Sequence, residues 1–111
     1  MDSNFDVKAL IKRLINEYAA FKISYGEVEN ETVFDDETGH YQLLYQGWIG
    51  TRRMHGCLLH IDLRDDKIWI QHDGTEYGFA NELVEAGVPH DRIVLAYHHP
   101  TIRKHNGFAS L

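Results

Sequence analysis

The sequence predicts an α+β fold, in which an N-terminal amphipathic helix packs on a mainly antiparallel sheet of four to five strands and a second short helix precedes the last strand. Three observations indicate this fold. Apolar residues first recur at helical spacing, four runs of strand-like residues then follow with short turns between them, and a capped helical segment precedes one more apolar run. We expect residues 1–111 to form a single domain, which is long enough to bury a core.

The first helix is predicted to begin at Ser3, with Asp6 as its reciprocal cap, and to end near Phe21. Its apolar side chains recur at intervals of three and four residues, and charged side chains occupy the opposite face. Burial of a large apolar side chain contributes about 1.5–3 kcal/mol, more than any cap, so we expect this stripe to anchor the helix on a sheet. The stripe comprises Val7, Leu10, Ile11, Leu14, Ile15 and Tyr18.

Four antiparallel strands are predicted after this helix. Two of the turns between them are indicated by DETG at residues 36–39 and by the pair at residues 65–66, since hairpin turns use these compositions. The middle strands carry bulky apolar residues on both faces. We expect one face to meet the first helix and the other to meet the second helix or a second subunit, because a large apolar patch rarely stays exposed. The strands are Val28–Asp35, Tyr41–Ile49, Arg53–Leu63 and Lys67–His72.

The stretch KIWIQHDGTEYGFANELVEAGVP predicts the fourth strand, a tight corner and the second helix. Asp73 is expected to cap this helix, with Glu76 completing a capping box. The helix is expected to end at GVP, where a glycine stop is followed by a proline. A further short strand is predicted within Asp91–Tyr97, and the tail after it shows no clear periodicity. The inward stripe of the second helix is Ala80, Leu83 and Val84.

Composition and charge exclude several classes of protein. No apolar run approaches the roughly 20 residues that cross a bilayer, and the acidic start MDSNFDVK differs from a signal peptide. The single cysteine, Cys57, cannot form an intramolecular disulfide, so we expect a cytoplasmic protein. The formal net charge of −6 argues against a protein that coats phosphates through its own charge.

A run of acidic residues without a base extends from Glu27 to Glu37. It indicates a solvated edge hairpin whose acids prevent pairing with other sheet edges, which is a common device in natural proteins. The alternative is a docking face for a basic partner. The run contains Glu27, Glu29, Glu31, Asp35, Asp36 and Glu37.

Histidine is abundant, but its spacing offers only local pairs. A zinc site needs three or four converging ligands, usually at tight local spacing. A composite site from several strands stays open; otherwise we expect satisfied core or surface histidines and no metal cofactor. Metal content of protein purified without a histidine tag would separate these alternatives. The local pairs are His60-x-Asp62, His72-Asp73 and His98-His99, and the remaining histidines are His40, His55, His90 and His105.

No catalytic constellation emerges from the other reactive residues. Cys57 falls within a predicted strand, where an inert apolar thiol is usual. Ser24 and Ser110 lack the strained elbow that exposes a serine nucleophile, and the glycines fit no phosphate-binding spacing. The aspartates around turns are expected to be solvated. We therefore expect that the protein is not an enzyme.

Aromatic and arginine residues are the better candidates for a contact surface. Tryptophan and arginine are over-represented at protein–protein hot spots, and Trp48 is followed closely by an arginine pair. Trp48 alone could equally be a core residue. The pair could contact a phosphate or an acidic partner, although two arginines are too few to bind nucleic acid tightly. The candidate partner-binding residues are Trp48, Arg52, Arg53 and Trp69.

Three long segments together resemble the XisI family, the cyanobacterial fdxN-element excision controlling factors. They are IKRLINEYAAFKISYGEVENETVFDDETGHYQLL, YQLLYQGWIGTRRMHGCLLHIDLRDDKIWIQHDGTE and GFANELVEAGVPHDRIVLAYHHP, which run from about Leu10 to Pro100. The resemblance implies that the protein acts with XisH, a partner similar to restriction-type nucleases, in support of the site-specific recombinase XisF. It also implies DNA rearrangement during heterocyst development, and the family has no assigned catalytic residues.

The expected function is therefore that of a non-enzymatic accessory factor that binds a XisH-like protein and a XisF-like recombinase, and reaches DNA only indirectly. A rival hypothesis is an antitoxin-like inhibitor of a XisH-like nuclease, in which the acidic run mimics the charge of DNA. Direct DNA binding is disfavoured by the negative charge, and a hydrolase built from scattered histidines and aspartates is the weakest alternative. The apolar strand faces also allow a homodimer.

Overall fold

The computed structural model of the protein describes residues 6–21 and 26–110, and its architecture confirms the predicted α+β class. Each of the first four strands extends one residue beyond its predicted bounds at one or both ends, because hydrogen-bonded pairing continues into the turns. In chain order, the elements are α1 (Val7–Ala19), β1 (Glu27–Asp35), β2 (His40–Ile49), β3 (Arg52–Arg64), β4 (Lys67–Asp73), α2 (Phe79–Glu85), a 3-10 turn (His90–Arg92), β5 (Ile93–Leu95) and α3 (Pro100–Arg103).

The five strands form one sheet in the order β1-β2-β3-β4-β5. The first three pairings are antiparallel, as short hairpin connections require, whereas β5 pairs parallel with β4 after the crossover through α2. The register shifts twice, between Leu43 and Leu44 in the β2–β3 ladder and between His60 and Ile61 in the β3–β4 ladder. Each shift adds an unpaired residue and re-aims the side chains beside it.

Both α1 and α2 pack on the same face of the sheet. The apolar stripe of α1 and the inward residues of α2 belong to one buried cluster with the inward residues of the strands. The expectation that the second helix covers the other face is therefore wrong: α2 follows β4 through a corner that returns it to the side of α1. The fully buried side chains of this core include Ile11, Ile15, Tyr41, Leu43, Leu59, Ile61, Ile68, Ile70, Phe79 and Leu83.

The start of α1 differs from the predicted capping box. Asp6 is itself the N-cap, because its carboxylate accepts a hydrogen bond from Ala9 N at 3.0 Å. An aspartate in extended conformation directly before the first helical residue satisfies one of the free N–H groups of the first turn. Ser3, the predicted first residue of the helix, lies outside the described residues. The helix ends at Ala19, two residues before the predicted Phe21.

The capping box predicted for the second helix is also wrong. The helix begins at Phe79 after Gly78, whose φ of 97° makes a sharp entry, and Glu76 is exposed before it. The carboxylate of Asp73 instead holds the corner, since it accepts hydrogen bonds from Thr75 N at 2.9 Å and from Phe79 N at 2.6 Å. Asp73 thus braces the loop and the first turn of α2 together, from a position six residues before the helix.

The last strand is shorter than predicted. The tail, for which no element was predicted, contains a short helix. Only Ile93–Leu95 of the predicted run Asp91–Tyr97 forms a strand, because it pairs with just three residues of β4. The tail then forms α3 and returns to the sheet edge, where Ala109 N donates to Ile93 O at 2.8 Å. Within the described residues, no helix is long and apolar enough to cross a membrane.

Candidate functional site

The face of the sheet turned away from α1 and α2 is the candidate functional surface, and we call it the outer face. It consists of alternate residues of β1, β2 and β3 together with Trp69 of β4. The ladder pairings set its two ends. One end is the row Glu27, Trp48 and Arg53, and the other is the row Asp35, His40, Asp62 and Trp69.

A cluster of polar side chains lies at the second of these ends. Asp62 is buried, with 6% of its surface exposed. Two imidazoles contact the same oxygen of its carboxylate. His40 Nδ1 lies 2.7 Å and His60 Nε2 lies 3.1 Å from Asp62 Oδ1. Gln71 Nε2 donates to the other oxygen, Oδ2, at 3.1 Å. We call His40, His60, Asp62 and Gln71 the Asp62 cluster.

Sheet register explains why these residues meet. His40 is the direct ladder partner of Asp62, whereas His60 precedes Asp62 by two positions and therefore points to the same face. Gln71 enters because the register shift beside His60 leaves it unpaired between two ladder positions. Three strands thus supply the cluster, and no single strand carries more than two of its members.

The carboxylate of Asp62 stays ionised in this setting. Burial alone would raise its pKa, but the hydrogen bond from His40 and the positive charges available on His60 and His40 outweigh burial, so the pKa lies below the usual value of 3.8. Arg64 adds a further cation, with Nη2 3.7 Å from Asp62 Oδ2. The site therefore holds one negative charge beside two imidazoles.

Trp69, one of the predicted contact residues, is half-buried beside this cluster. The guanidinium of Arg64 lies 4.9 Å and that of Arg103 lies 5.8 Å from the centre of its ring. Arg103 belongs to α3 and also donates to the carbonyl of His98 at 2.8 Å, so the C-terminal segment reaches the outer face here. Trp69 Nε1 is buried, and none of the described residues accepts a hydrogen bond from it.

Two of the other predicted contact residues, Trp48 and Arg53, lie at the opposite end of the outer face. Trp48 is 48% exposed, and the guanidinium of Arg53 lies 5.3 Å from the centre of its ring. Arg52 is exposed on the same hairpin but pairs with Ile49, so it points to the opposite face of the sheet from Arg53. Trp48 lies roughly 27 Å from the His40 row at about 3.4 Å per strand residue. The structure therefore brings together Trp48 and Arg53, places Arg52 on the other face of the same hairpin, and separates Trp69 from all three.

The acidic run lies on an edge strand. Four of its members alternate along β1, are exposed, and point to the outer face: Glu27, Glu29, Glu31 and Asp35. We call these four residues the acidic stripe. Asp36 is bound instead on the other side of the sheet, where Lys12 Nζ donates to its Oδ2 at 2.7 Å and Tyr41 Oη donates to its Oδ1 at 2.9 Å.

Cys57 lies on the outer face opposite Leu44 but has no activating neighbour among the described residues. Its thiol is half-buried and donates to Leu59 O at 3.1 Å. Burial raises the pKa of this thiol, which favours the unreactive protonated form.

Comparison with known proteins identifies the family. The model of the XisI protein family matches residues 1–110 of this chain. The chain belongs to the XisI family. The chain is 36% identical to a XisI-like protein from Anabaena variabilis whose crystal structure is known, with 94% of this chain and 95% of that chain covered and a TM-score of 0.87. It is 30% identical to the fdxN element excision controlling factor XisI from Anabaena variabilis, with the same coverages and a TM-score of 0.80. Among proteins with curated descriptions, none matches significantly.

The XisI assignment confirms the resemblance carried by the three sequence segments, but the Asp62 cluster was not foreseen. Spacing predicted only the local pair His60-x-Asp62, because a period of two reveals which residues share a face and not which strands pair. His40 opens the second strand directly after a turn, one residue before the predicted strand start. His40 lies nine residues before Ile49 and Asp62 ten residues after Arg52, so a regular hairpin register would pair His40 with Ile61, and only the register shift between Leu43 and Leu44 makes Asp62 its partner.

Proposed function

We propose that this XisI-family chain is a non-enzymatic accessory factor that controls the site-specific excision of a DNA element, as in developmental genome rearrangement. The observation that carries the proposal is the similarity to an fdxN element excision controlling factor, which is 30% identical over 94% of the chain. At this coverage the likeness extends over α1, the sheet and the C-terminal segment alike, so it concerns the whole fold rather than one motif.

The factor acts by binding proteins, namely a XisH-like nuclease-fold partner and a XisF-like recombinase. An exposed tryptophan stacked with an arginine is a typical anchor for such contacts, and Trp48 with Arg53 supplies one. The charge of the chain opposes direct DNA binding, because its net charge of −6 would repel phosphates. A homodimer through part of the outer face is compatible with this role.

Co-expression of the chain with a XisH-like protein, followed by size exclusion with light scattering, tests the proposal. A joint peak with the summed mass supports a stable complex, and the chain alone gives its oligomeric state. Two separate peaks would contradict the stable-complex mechanism. The same run with the recombinase in place of the XisH-like protein distinguishes an indirect role from direct contact with the recombinase.

The acidic stripe favours a second candidate function, inhibition of a XisH-like nuclease in the manner of an antitoxin. Alternate residues of one strand are about 6.6–6.8 Å apart, so Glu27, Glu29 and Glu31 form a linear array of negative charge at a sheet edge. Such an array can occupy a basic groove built for nucleic acid. Expression of the XisH-like protein alone tests this function: toxicity relieved by the chain, but not by a variant with these three glutamates changed to glutamine, supports inhibition.

A further inference from the structure

The Asp62 cluster presents three ligand-type atoms to one point on the outer face. Among the described residues, one ring nitrogen of His40, one of His60 and one carboxylate oxygen of Asp62 all lie within 4.8 Å of one another. Two imidazoles and one carboxylate are a ligand set that zinc and other first-row divalent ions prefer. We propose that His40, His60 and Asp62 bind one divalent transition-metal ion, with Zn²⁺ as the principal candidate.

The distances require only small rearrangements. With bonds of about 2.0–2.1 Å and a tetrahedral angle, two ligand atoms on one zinc ion are about 3.3–3.4 Å apart. Asp62 Oδ1 is 2.7 Å from His40 Nδ1 and 3.1 Å from His60 Nε2, so an ion would widen both separations slightly and replace both hydrogen bonds. His40 has room to move, because its side chain is 56% exposed.

The surroundings orient the carboxylate for this role. Gln71 and Arg64 both face Asp62 Oδ2, which leaves Oδ1 directed at the imidazoles. Second-shell hydrogen bonds of this kind fix a ligating oxygen and its orientation. The positive charge of Arg64 opposes a cation, but its guanidinium packs over the ring of Trp69, and Asp35 supplies a further negative charge opposite His40 on β1.

Three protein ligands leave one position of a tetrahedral ion open, as in zinc sites that accept water or another ligand. The exposed edge of the site at His40 lies on the outer face, so an incoming side chain could reach that position. The bound ion would also cross-link β2 and β3 at the end of the sheet where His40 is the ladder partner of Asp62. This site is independent of the excision role, since metal binding is measured on the chain alone.

The test uses the full chain without a histidine tag, treated with chelator and then titrated with Zn²⁺ by calorimetry and with Co²⁺ by visible absorption. We expect binding of one ion per chain. His40→Ala and Asp62→Asn should each weaken binding by more than the roughly 10–100-fold that loss of an outer-shell partner costs. His55→Ala, which removes an exposed histidine of β3, is the matched control and should bind like the unchanged chain.

Two results would overturn the proposal. One is absence of heat and of cobalt absorption from the unchanged, folded chain. The other is binding that survives His40→Ala, which would place the ion elsewhere whether or not His55→Ala affects it. Because His40 is exposed, its truncation is expected to leave the fold intact, and a circular-dichroism melt of this variant separates loss of binding from loss of folding.

Discussion

His40 Nδ1 lies 2.7 Å from Asp62 Oδ1, and the two residues are direct partners in the β2–β3 ladder. The contact joins a buried carboxylate to an imidazole whose side chain is 56% exposed. Because His60 and Gln71 also donate to Asp62, the carboxylate has three side-chain hydrogen-bond partners. A buried charge with this many partners is tolerated in the fold, whereas the same charge without them would be costly.

Asp62→Asn should therefore lower the free energy of unfolding in chelator-containing buffer by about 1–3 kcal/mol, because two imidazole donors lose their charged acceptor. Urea unfolding at pH 7 measures the change. Asp65→Asn is the matched control: Asp65 is exposed in the β3–β4 turn at a φ of 52°, which asparagine tolerates, and its effect should stay within about 0.5 kcal/mol. Equal stabilities of the two variants would contradict a structural role for the Asp62 cluster.

The pair Tyr41 and Asp36 predicts how stability changes with pH. Burial and the hydrogen bond to Asp36 raise the pKa of Tyr41 above its ordinary value of 10, so its contribution is complete below that pH and is lost as pH rises through the folded value. Hydrogen bonds from Lys12 and Tyr41 lower the pKa of Asp36 below 3.8, so its contribution is present above that pH and is lost as pH falls through the folded value. Stability should therefore decline at both extremes.

Urea unfolding of the unchanged chain and of Tyr41→Phe between pH 7 and pH 11 isolates the alkaline part. The difference in unfolding free energy between the unchanged chain and Tyr41→Phe should be constant up to about pH 10. It should shrink above that pH, because phenylalanine has no proton to lose. Tyr18→Phe is run in parallel, since burial also raises the pKa of Tyr18 to about 12. A difference that grows above pH 10 would show that Tyr41 is not held protonated by the fold.

Local patterns account for the parts of the fold that could be predicted. The stripe of α1, the alternation within β2–β4 and the turn compositions depend on neighbours in the sequence, and each placed its element within a few residues. The second helix began later than predicted because Asp73 finds its N–H partners across a corner, at Thr75 and Phe79, and not at the start of a continuous helix.

Long-range register accounts for what could not be predicted. The Asp62 cluster depends on which residue of β2 faces which residue of β3, and on a register shift that delivers Gln71. The four contact residues Trp48, Arg52, Arg53 and Trp69 were grouped because they share residue types, yet the sheet places Trp69 at the far end of the outer face. Sequence spacing carries neither piece of information, since both arise from pairing between strands.

Gly47 is required where β2 pairs closely with β1 at Val28. Its φ is 151°, and a Cβ placed there would lie 1.9 Å from Glu27 O and 2.6 Å from Val28 Cα. Gly47→Ala must therefore displace β1, and we expect it to lower the unfolding free energy by more than Gly50→Ala does. Gly50 has a φ of 62° but open space around its Cβ position, so its substitution should cost only the backbone strain of about 1–2 kcal/mol. Thermal and urea unfolding compare the two, and equal costs would contradict the close approach.

Trp48 should be the residue on which partner binding depends most. It is exposed, it stacks with Arg53, and it lies between Glu27 and Arg53 in the ladder, which is the arrangement of an aromatic anchor among charged rim residues. Trp48→Ala should weaken binding to a XisH-like protein by about 2 kcal/mol, roughly 30-fold in Kd, while its unfolding free energy changes little. Ile102→Ala removes an equally exposed apolar side chain on α3 and should leave the Kd unchanged. Calorimetric titrations of both variants that give the Kd of the unchanged chain would place the contact surface away from Trp48.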